Sequence, residues 1–297
     1  MTAAIEAFAP AKINLTLHVT GQRDDGYSLI DSLVVFGDVG DRITLTRVGD
    51  MSLSAAGPFA AGVPEDESNL VWRALNAVGW QGSVSLIKNL PNGAGIGGGS
   101  SDAAAVLRRL HGERAGVDVD LDLLVSLGAD VPVCLSPRPQ RMRGIGEELA
   151  HVPSVPALSM VLVNPGAHVP TRDVFAGLAT RDNAPMETFG GWASWSDFVD
   201  WLALQRNDLE AAACSVAPEI KLAQDALRDA RLVRMSGSGS TCFGIYPDQT
   251  AAQRAAGRIK SEHPDWWVQP TETIGSAAGR GPITLGGSPR APERTQS

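Results

Sequence analysis

The stretch PNGAGIGGGSSDAAA, Pro91 to Ala105, sets five glycines ahead of two serines and an alanine-rich segment. Glycine lets a loop take positive φ and bring backbone N–H groups close to a ligand. The adjoining segment, SDAAAVLRRL to about Gly112, has helical spacing, with Ser100 or Ser101 available as its cap. The first N–H groups of such a helix lack partners and stand at the positive end of its dipole, so the junction suits an anion before any side chain is considered. A plain strand-to-helix turn needs neither three glycines in a row, Gly97 to Gly99, nor the hydroxyls behind them. The stretch reads as a phosphate-binding loop.

It is not one of the two commonest such loops. Gly93, Gly95 and Gly98 satisfy G-x-G-x-x-G, but a dinucleotide fold places an acidic residue at the end of a second strand about 20 positions on. Asp118 and Asp120 lie at that distance inside VDVDLDLLVSL, whose spacing is helical. A Walker A loop needs Lys directly before Ser or Thr, and no lysine occurs between Lys88 and Lys221. The catalytic signatures of protein kinases are absent as well.

Upstream, SVSLIKNL is the strand feeding the loop, and NLVWRALNAV is a helix with Ser68 or Asn69 at its start and Gly79 past its end. SLIDSLVVF and DRITLTRV read as two further strands. Ile13, Leu15, Leu17 and Val19 alternate with Lys12, Asn14, Thr16 and His18, the pattern of a half-buried strand. Downstream come the helix VDLDLLVSLG, the strand VPVCL, a turn at SPRPQ and a strand into GIGEEL. The proline-rich PSVPALS then separates a second series: strand MVLV, helices TRDVFAGL, SDFVDWLAL, DLEAAAC and EIKLAQDALRDA, the strand pair LVRMSGS and STCFGIY, helix TAAQRAAGRIK and strand WWVQPT. The fold class is α+β, with domains at 1–155 and 156–274, and a tail at 275–297 whose composition predicts disorder.

With 297 residues, 43% of them hydrophobic, the chain has enough apolar material for two cores. Its formal charge of -8 excludes broad contact with nucleic acid or anionic membrane, while leaving room for a local phosphate site. Cys134, Cys214 and Cys242 are an odd number without C-x-x-C spacing, and the five histidines are scattered, so neither a disulfide framework nor a protein-ligated transition metal is expected. The start MTAAIEAFAPAK has no export signal and no stretch reaches membrane-spanning length, so a cytoplasmic protein is expected, monomer or homodimer.

Three further features stay open on local grounds. Asp130, in LGADVPVCL, is either a turn cap or a partly buried carboxylate that needs a cation nearby. SGSGST, Ser236 to Thr241, is either a hairpin turn or a second ligand loop, and RGIGEEL, Arg143 to Leu149, is turn-like. Lys12 has no local mark.

In their order along the chain, PAKINL (Pro10–Leu15), the loop Pro91 to Ser101, LGADVP (Leu127–Pro132) and SGSGS (Ser236–Ser240) resemble the GHMP kinase superfamily. TGQRDDGY at Thr20 to Tyr27, RGIGE and NPG at Asn164 to Gly166 are similar to its branch acting on a cytidine diphosphate-linked methylerythritol in the non-mevalonate isoprenoid pathway. The resemblance implies a two-domain fold, its first half like ribosomal protein S5 domain 2 and its second ferredoxin-like. It further implies ATP with Mg²⁺, phosphates held on Pro91, Asn92, Gly93, Ala94, Gly95, Ile96, Gly97, Gly98, Gly99, Ser100 and Ser101, and metal ligands unknown. Phosphoryl transfer to the substrate's 2-hydroxyl would use Asp130 as catalytic carboxylate and Lys12 as its cationic neighbour. Asn14, Tyr27, Ser28, Thr171, Phe175, Gly237, Ser238 and Gly239 would face the substrate, Tyr27 and Phe175 sandwiching the cytosine. One position departs from the pattern: the family has His after that Tyr, whereas this chain has Ser28, a shorter group that cannot span the same gap to the base edge. A GHMP kinase for another alcohol, of mevalonate or homoserine type, and a non-catalytic nucleotide-binding protein are the alternatives.

Overall fold

The computed structural model describes residues 4–113, 120–187 and 191–274. The tail expected to be disordered, and the start of VDVDLDLLVSL, lie outside the described residues.

Strands β1 (Ile5–Asn14) and β2 (His18–Gln22) both pair antiparallel with the long β3 (Ser28–Thr46). After β4 (Ser52–Ala56), helix α1 (Leu70–Ala77) leads to β5 (Ser83–Ile87), which is parallel to β4 and antiparallel to β3. Helices α2 (Gly98–Glu113), α3 (Leu121–Leu127) and α4 (Val131–Cys134) precede β6 (Gln140–Gly144) and β7 (Glu148–His151), which extend the sheet on the other side of β3. The second sheet is antiparallel throughout. It consists of β8 (Ser159–Asn164), then, beyond α5 (Thr171–Ala176), α6 (Trp195–Ala203), α7 (Glu210–Val216) and α8 (Glu219–Ala226), of β9 (Leu232–Met235), β10 (Cys242–Tyr246) and, after α9 (Gln249–Glu262), β11 (Trp267–Glu272). Its spatial order is β11-β8-β10-β9.

Three apolar clusters hold these layers. One lies under α1 and α2, another between the second sheet and α7 to α9, and the third joins the sheets, with Ile13, Leu15 and Leu33 against Met160, Leu162 and Phe243. A register shift between Pro10 and Lys12 decides how β1 serves two of them. Ala7 and Ala9 pack under the helices, yet Ala11 and Ile13, on the same alternation, face the second sheet. A bulge inserts one residue and reverses the faces beyond it, so Lys12 and Asn14 turn to the helix side. The expected half-buried strand over Ile13 to Val19 is thereby corrected: its polar residues are buried too, and the strand is interrupted between Asn14 and His18.

Three other expectations change. The two strands SLIDSLVVF and DRITLTRV are one, because β1 pairs with both of them; at Gly40, between them, a Cβ would stand 2.2 Å from the Ala9 carbonyl oxygen. VPVCL is not a strand but the single helical turn α4, with Pro132 at its start, where a missing N–H costs nothing. Ser100 and Ser101 do not cap α2; they lie within its first turn, where Ser101 N–H donates to the Gly97 carbonyl. Asn69 caps α1 as expected, accepting from Val71 N–H.

Candidate active site

The glycine loop crosses from the end of β5 to α2. Its hinge is Gly95 (φ 73°), where a Cβ would lie 2.3 Å from the Ser236 carbonyl oxygen and 2.8 Å from Gly239 N. Only a residue without a side chain lets the two glycine loops meet backbone to backbone. Ser236 Oγ donates to Gly95 O at 3.0 Å and accepts from Asn14 N–H at 3.0 Å, while Thr241 N–H donates to Ala94 O at 3.2 Å. SGSGST is therefore a wall of the site, and the hairpin alternative covers only part of its role.

Both loops border a cavity of about 730 Å³. Lys12 reaches it from just beyond the bulge, its stem against Gly97, where a Cβ would come within 3.2 Å of Lys12 Cβ. Its Nζ meets Asp130 Oδ2 at 2.7 Å. The lysine side chain is 5% exposed and the aspartate 33%, so the pair opens to the cavity through the carboxylate. Asp130 starts α4, but its side chain makes no capping bond, which removes the turn-cap alternative and frees both oxygens for Lys12 and the cavity.

Of the residues expected to bind ligands, Gly93, Ala94, Gly95, Gly97, Gly98, Gly99 and Ser100 line this cavity from the loop, with Asn14, Tyr27, Ser28, Thr171, Phe175, Gly237 and Ser238 from other segments. Thr171 and Ser238 hydroxyls stand 2.9 Å apart. Asn14 Nδ2 donates to Ser32 Oγ, leaving the buried Oδ1 without a hydrogen-bond partner. The remaining expected contacts are not brought to the cavity. Ile96 is wholly buried in the core, Ser101 is buried with its hydroxyl donating to Pro10 O, Gly239 packs toward Met235 and Ile220, and Pro91 and Asn92 border a different cavity.

That second cavity, of about 280 Å³, also borders the loop and shares Leu70, Gly93, Gly98 and Gly99 with the first. Its other walls include Val63, Pro64, Ser68 and Asn69, for which the sequence carries no sign of a ligand. In its wall Lys88, which lines it together with Asp102, binds both Asp41 and Asp102, the latter at 2.8 Å, with all three side chains at most 4% exposed. Asp41 also accepts from the N–H groups of Asn89 and Leu90, which fixes the chain as it enters the loop. Burial lowers the proton affinity of Lys88, but Asp102 and Asp41 outweigh it, and its pKa stands above the usual lysine value. Burial pushes Asp102 well above the ordinary carboxylate range, Asp41 adds to that and Lys88 opposes it. This triad spans 61 positions of sequence, from Asp41 to Asp102, without a local signal.

Family profiles match at residues 69–136, GHMP kinases N terminal domain, and at 189–265, GHMP kinases C terminal. The chain is 52% identical over 274 residues to 4-diphosphocytidyl-2-C-methyl-D-erythritol kinase of Dinoroseobacter shibae, covering 90% of this chain and 94% of that one. It is 50% identical over 276 residues to the enzyme of the same name from Cereibacter sphaeroides, covering 91% and 99%. A crystal structure of 4-(cytidine 5'-diphospho)-2C-methyl-D-erythritol kinase superposes with a TM-score of 0.70 at 34% identity, over 91% of this chain and all of that one. Homoserine kinase from Cytophaga hutchinsonii shares the fold at a TM-score of 0.65 and 18% identity, over 92% of this chain and 95% of that one. By an amide loop and an ion pair set in one cavity, and by half its residues in common with these relatives over nine-tenths of its length, the chain belongs to the GHMP kinases and, within them, to the 4-diphosphocytidyl-2-C-methyl-D-erythritol kinases.

Proposed function

We propose that this protein transfers the γ-phosphoryl group of ATP to the 2-hydroxyl of 4-diphosphocytidyl-2-C-methyl-D-erythritol, in the non-mevalonate isoprenoid pathway. The observation that carries this is the Lys12–Asp130 pair, 2.7 Å apart, opening into the cavity bordered by the free amides at the start of α2. Phosphoryl transfer passes through a loose transition state, so the protein's share is alignment and neutralisation of oxygen charge. The amides of Gly97 to Ser100 hold phosphate oxygens, Asp130 Oδ accepts the proton of the attacking hydroxyl, and Lys12 fixes the direction of that carboxylate. Asn14 Oδ1, lacking a partner, receives a second hydroxyl of the substrate. The smaller cavity, sharing the loop's outer glycines, takes the base of ATP, so that the loop lies between nucleotide and acceptor.

Among the described residues no cluster of three acidic, histidine or cysteine side chains stands ready for a metal. Mg²⁺ needs only one or two protein oxygens when phosphates and water supply the rest, and Asp130 with the Ser100 hydroxyl fits that requirement. When bound, Mg²⁺ neutralises charge on the transferring group. We place the domain division after residue 155; the connection between β7 and β8 supports that reading. No described helix is long and apolar enough to cross a membrane.

A coupled assay of ADP release tests the reading. Turnover is expected with the cytidylyl substrate and Mg²⁺, and none with mevalonate or homoserine. Turnover with either of those and none with the cytidylyl substrate overturns it.

A further inference from the structure

Among the residues lining the large cavity, two side chains are cationic: Lys12, committed to Asp130, and Arg172. Arg172 is exposed and makes no hydrogen bond or ion pair among the described residues. It is the second residue of α5. Thr171, before it, touches Ser238 of the loop that packs on the phosphate loop; Phe175 stands three positions beyond, on the same helix face. Arg172 therefore lines the cavity from α5, between Thr171 at the glycine–serine wall and Phe175.

On the function proposed above, the substrate runs from its alcohol near Asp130 to its pyrimidine at Tyr27 and Phe175, and its diphosphate must cross the space between. We propose that Arg172 holds that diphosphate and is a specificity-determining residue of this site. A guanidinium fork matches two phosphate oxygens, and it supplies a positive charge in a cavity whose other cation is already paired and in a chain of net charge -8. Beside Tyr27 the cavity wall offers only the short hydroxyl of Ser28. Gripping the substrate by its middle offsets the contact to the base that a hydroxyl cannot make.

Calorimetric titration of CDP, CMP, cytidine and UDP into the full chain and into Arg172→Ala and Arg172→Lys tests the assignment, with melting curves to verify folding. Arg172→Ala is expected to weaken CDP about tenfold, leave cytidine unchanged and flatten the salt dependence of CDP binding, while Arg172→Lys recovers part of the loss. In turnover, KM for the cytidylyl substrate rises about tenfold, with kcat within about twofold and KM for ATP unmoved. Equal losses for CDP and cytidine, or a vanished preference for CDP over UDP, assign Arg172 to the base and overturn the proposal; so does unchanged CDP binding. Wild-type protein that fails to phosphorylate the cytidylyl substrate overturns the function itself, a result distinct from active wild type beside an indifferent Arg172→Ala.

Discussion

Two lysine–carboxylate assemblies flank the glycine loop at nearly the same contact distance, 2.7 Å for Lys12–Asp130 and 2.8 Å for Lys88–Asp102. Their surroundings separate them. Asp130 is one-third exposed to the cavity and makes no backbone cap, whereas Asp41 and Asp102 are sealed and Asp41 holds two backbone N–H groups. Distance alone says nothing about role. A carboxylate that keeps an oxygen facing solvent is free to take a proton from a reactant; one wholly enclosed is part of the frame.

The contrast is sharpest in Asp130→Asn. The near-isosteric amide removes the proton acceptor, and kcat in the ADP assay should fall by about 10²- to 10⁴-fold while the melting temperature barely moves. A large loss of stability instead would erase the distinction between the pairs. Lys88→Met should behave inversely. Buried Asp41 loses its cation and Asp102 its hydrogen-bond partner, a change of about 3–5 kcal/mol in unfolding free energy, read from the shift in denaturant midpoint. Stability within about 1 kcal/mol of wild type would mean the triad is not structural.

Asp102→Asn tests the sealed site through pH. The folded pKa of Asp102 is raised above the ordinary 3.8, first by burial. Its contribution to stability is therefore fully present below about 3.8 and is lost as pH rises through the folded value. The amide has no proton to lose, so the variant should keep more of its acid-side stability at pH 8 than wild type does, as denaturant midpoints at pH 6 and pH 8 would report. Identical slopes would show that Lys88 balances both acids.

The smallest effect lies in a thiol between the two assemblies. Cys134 is buried and its pKa is pushed up to about 12, chiefly by burial and then by Asp130. Native protein at pH 8 should leave Cys134 unmodified by a thiol reagent while half-buried Cys214 reacts. Lys88→Met should expose Cys134 to slow labelling, and Asp130→Asn should not; peptide mapping distinguishes them.

Much of the site was legible because its parts have local signatures. The glycine run before a helix, the helix Leu121–Leu127 ending at Gly128 before Asp130, and the second glycine–serine loop each declare themselves within ten residues. What stayed hidden depends on contacts far apart in sequence. Nothing near Lys88 announces Asp41 or Asp102, and Lys12 looks like any strand lysine until the bulge turns it over. Nothing local marks Val63, Pro64 and Ser68 as walls of the smaller cavity, and Asn69 and Leu70 declare only a helix start. Short apolar runs are ambiguous between strand and helix, and at Val131–Cys134 the proline after Val131 was the overlooked cue. Burial of Ile96 and Ser101 shows that a binding loop also spends residues on its own anchorage.

Gly95 and Ser236 touch across 141 positions of sequence. A ribosome emits the glycine loop long before the segment that seats it. Until residue 241 has cleared the exit tunnel, a nascent chain already owns Lys12 and Asp130 but lacks the abutment against which residues 93–97 settle. Completion of this wall thus waits for residue 241, and products truncated before it, however well their first sheet forms, are born without the support of the glycine loop.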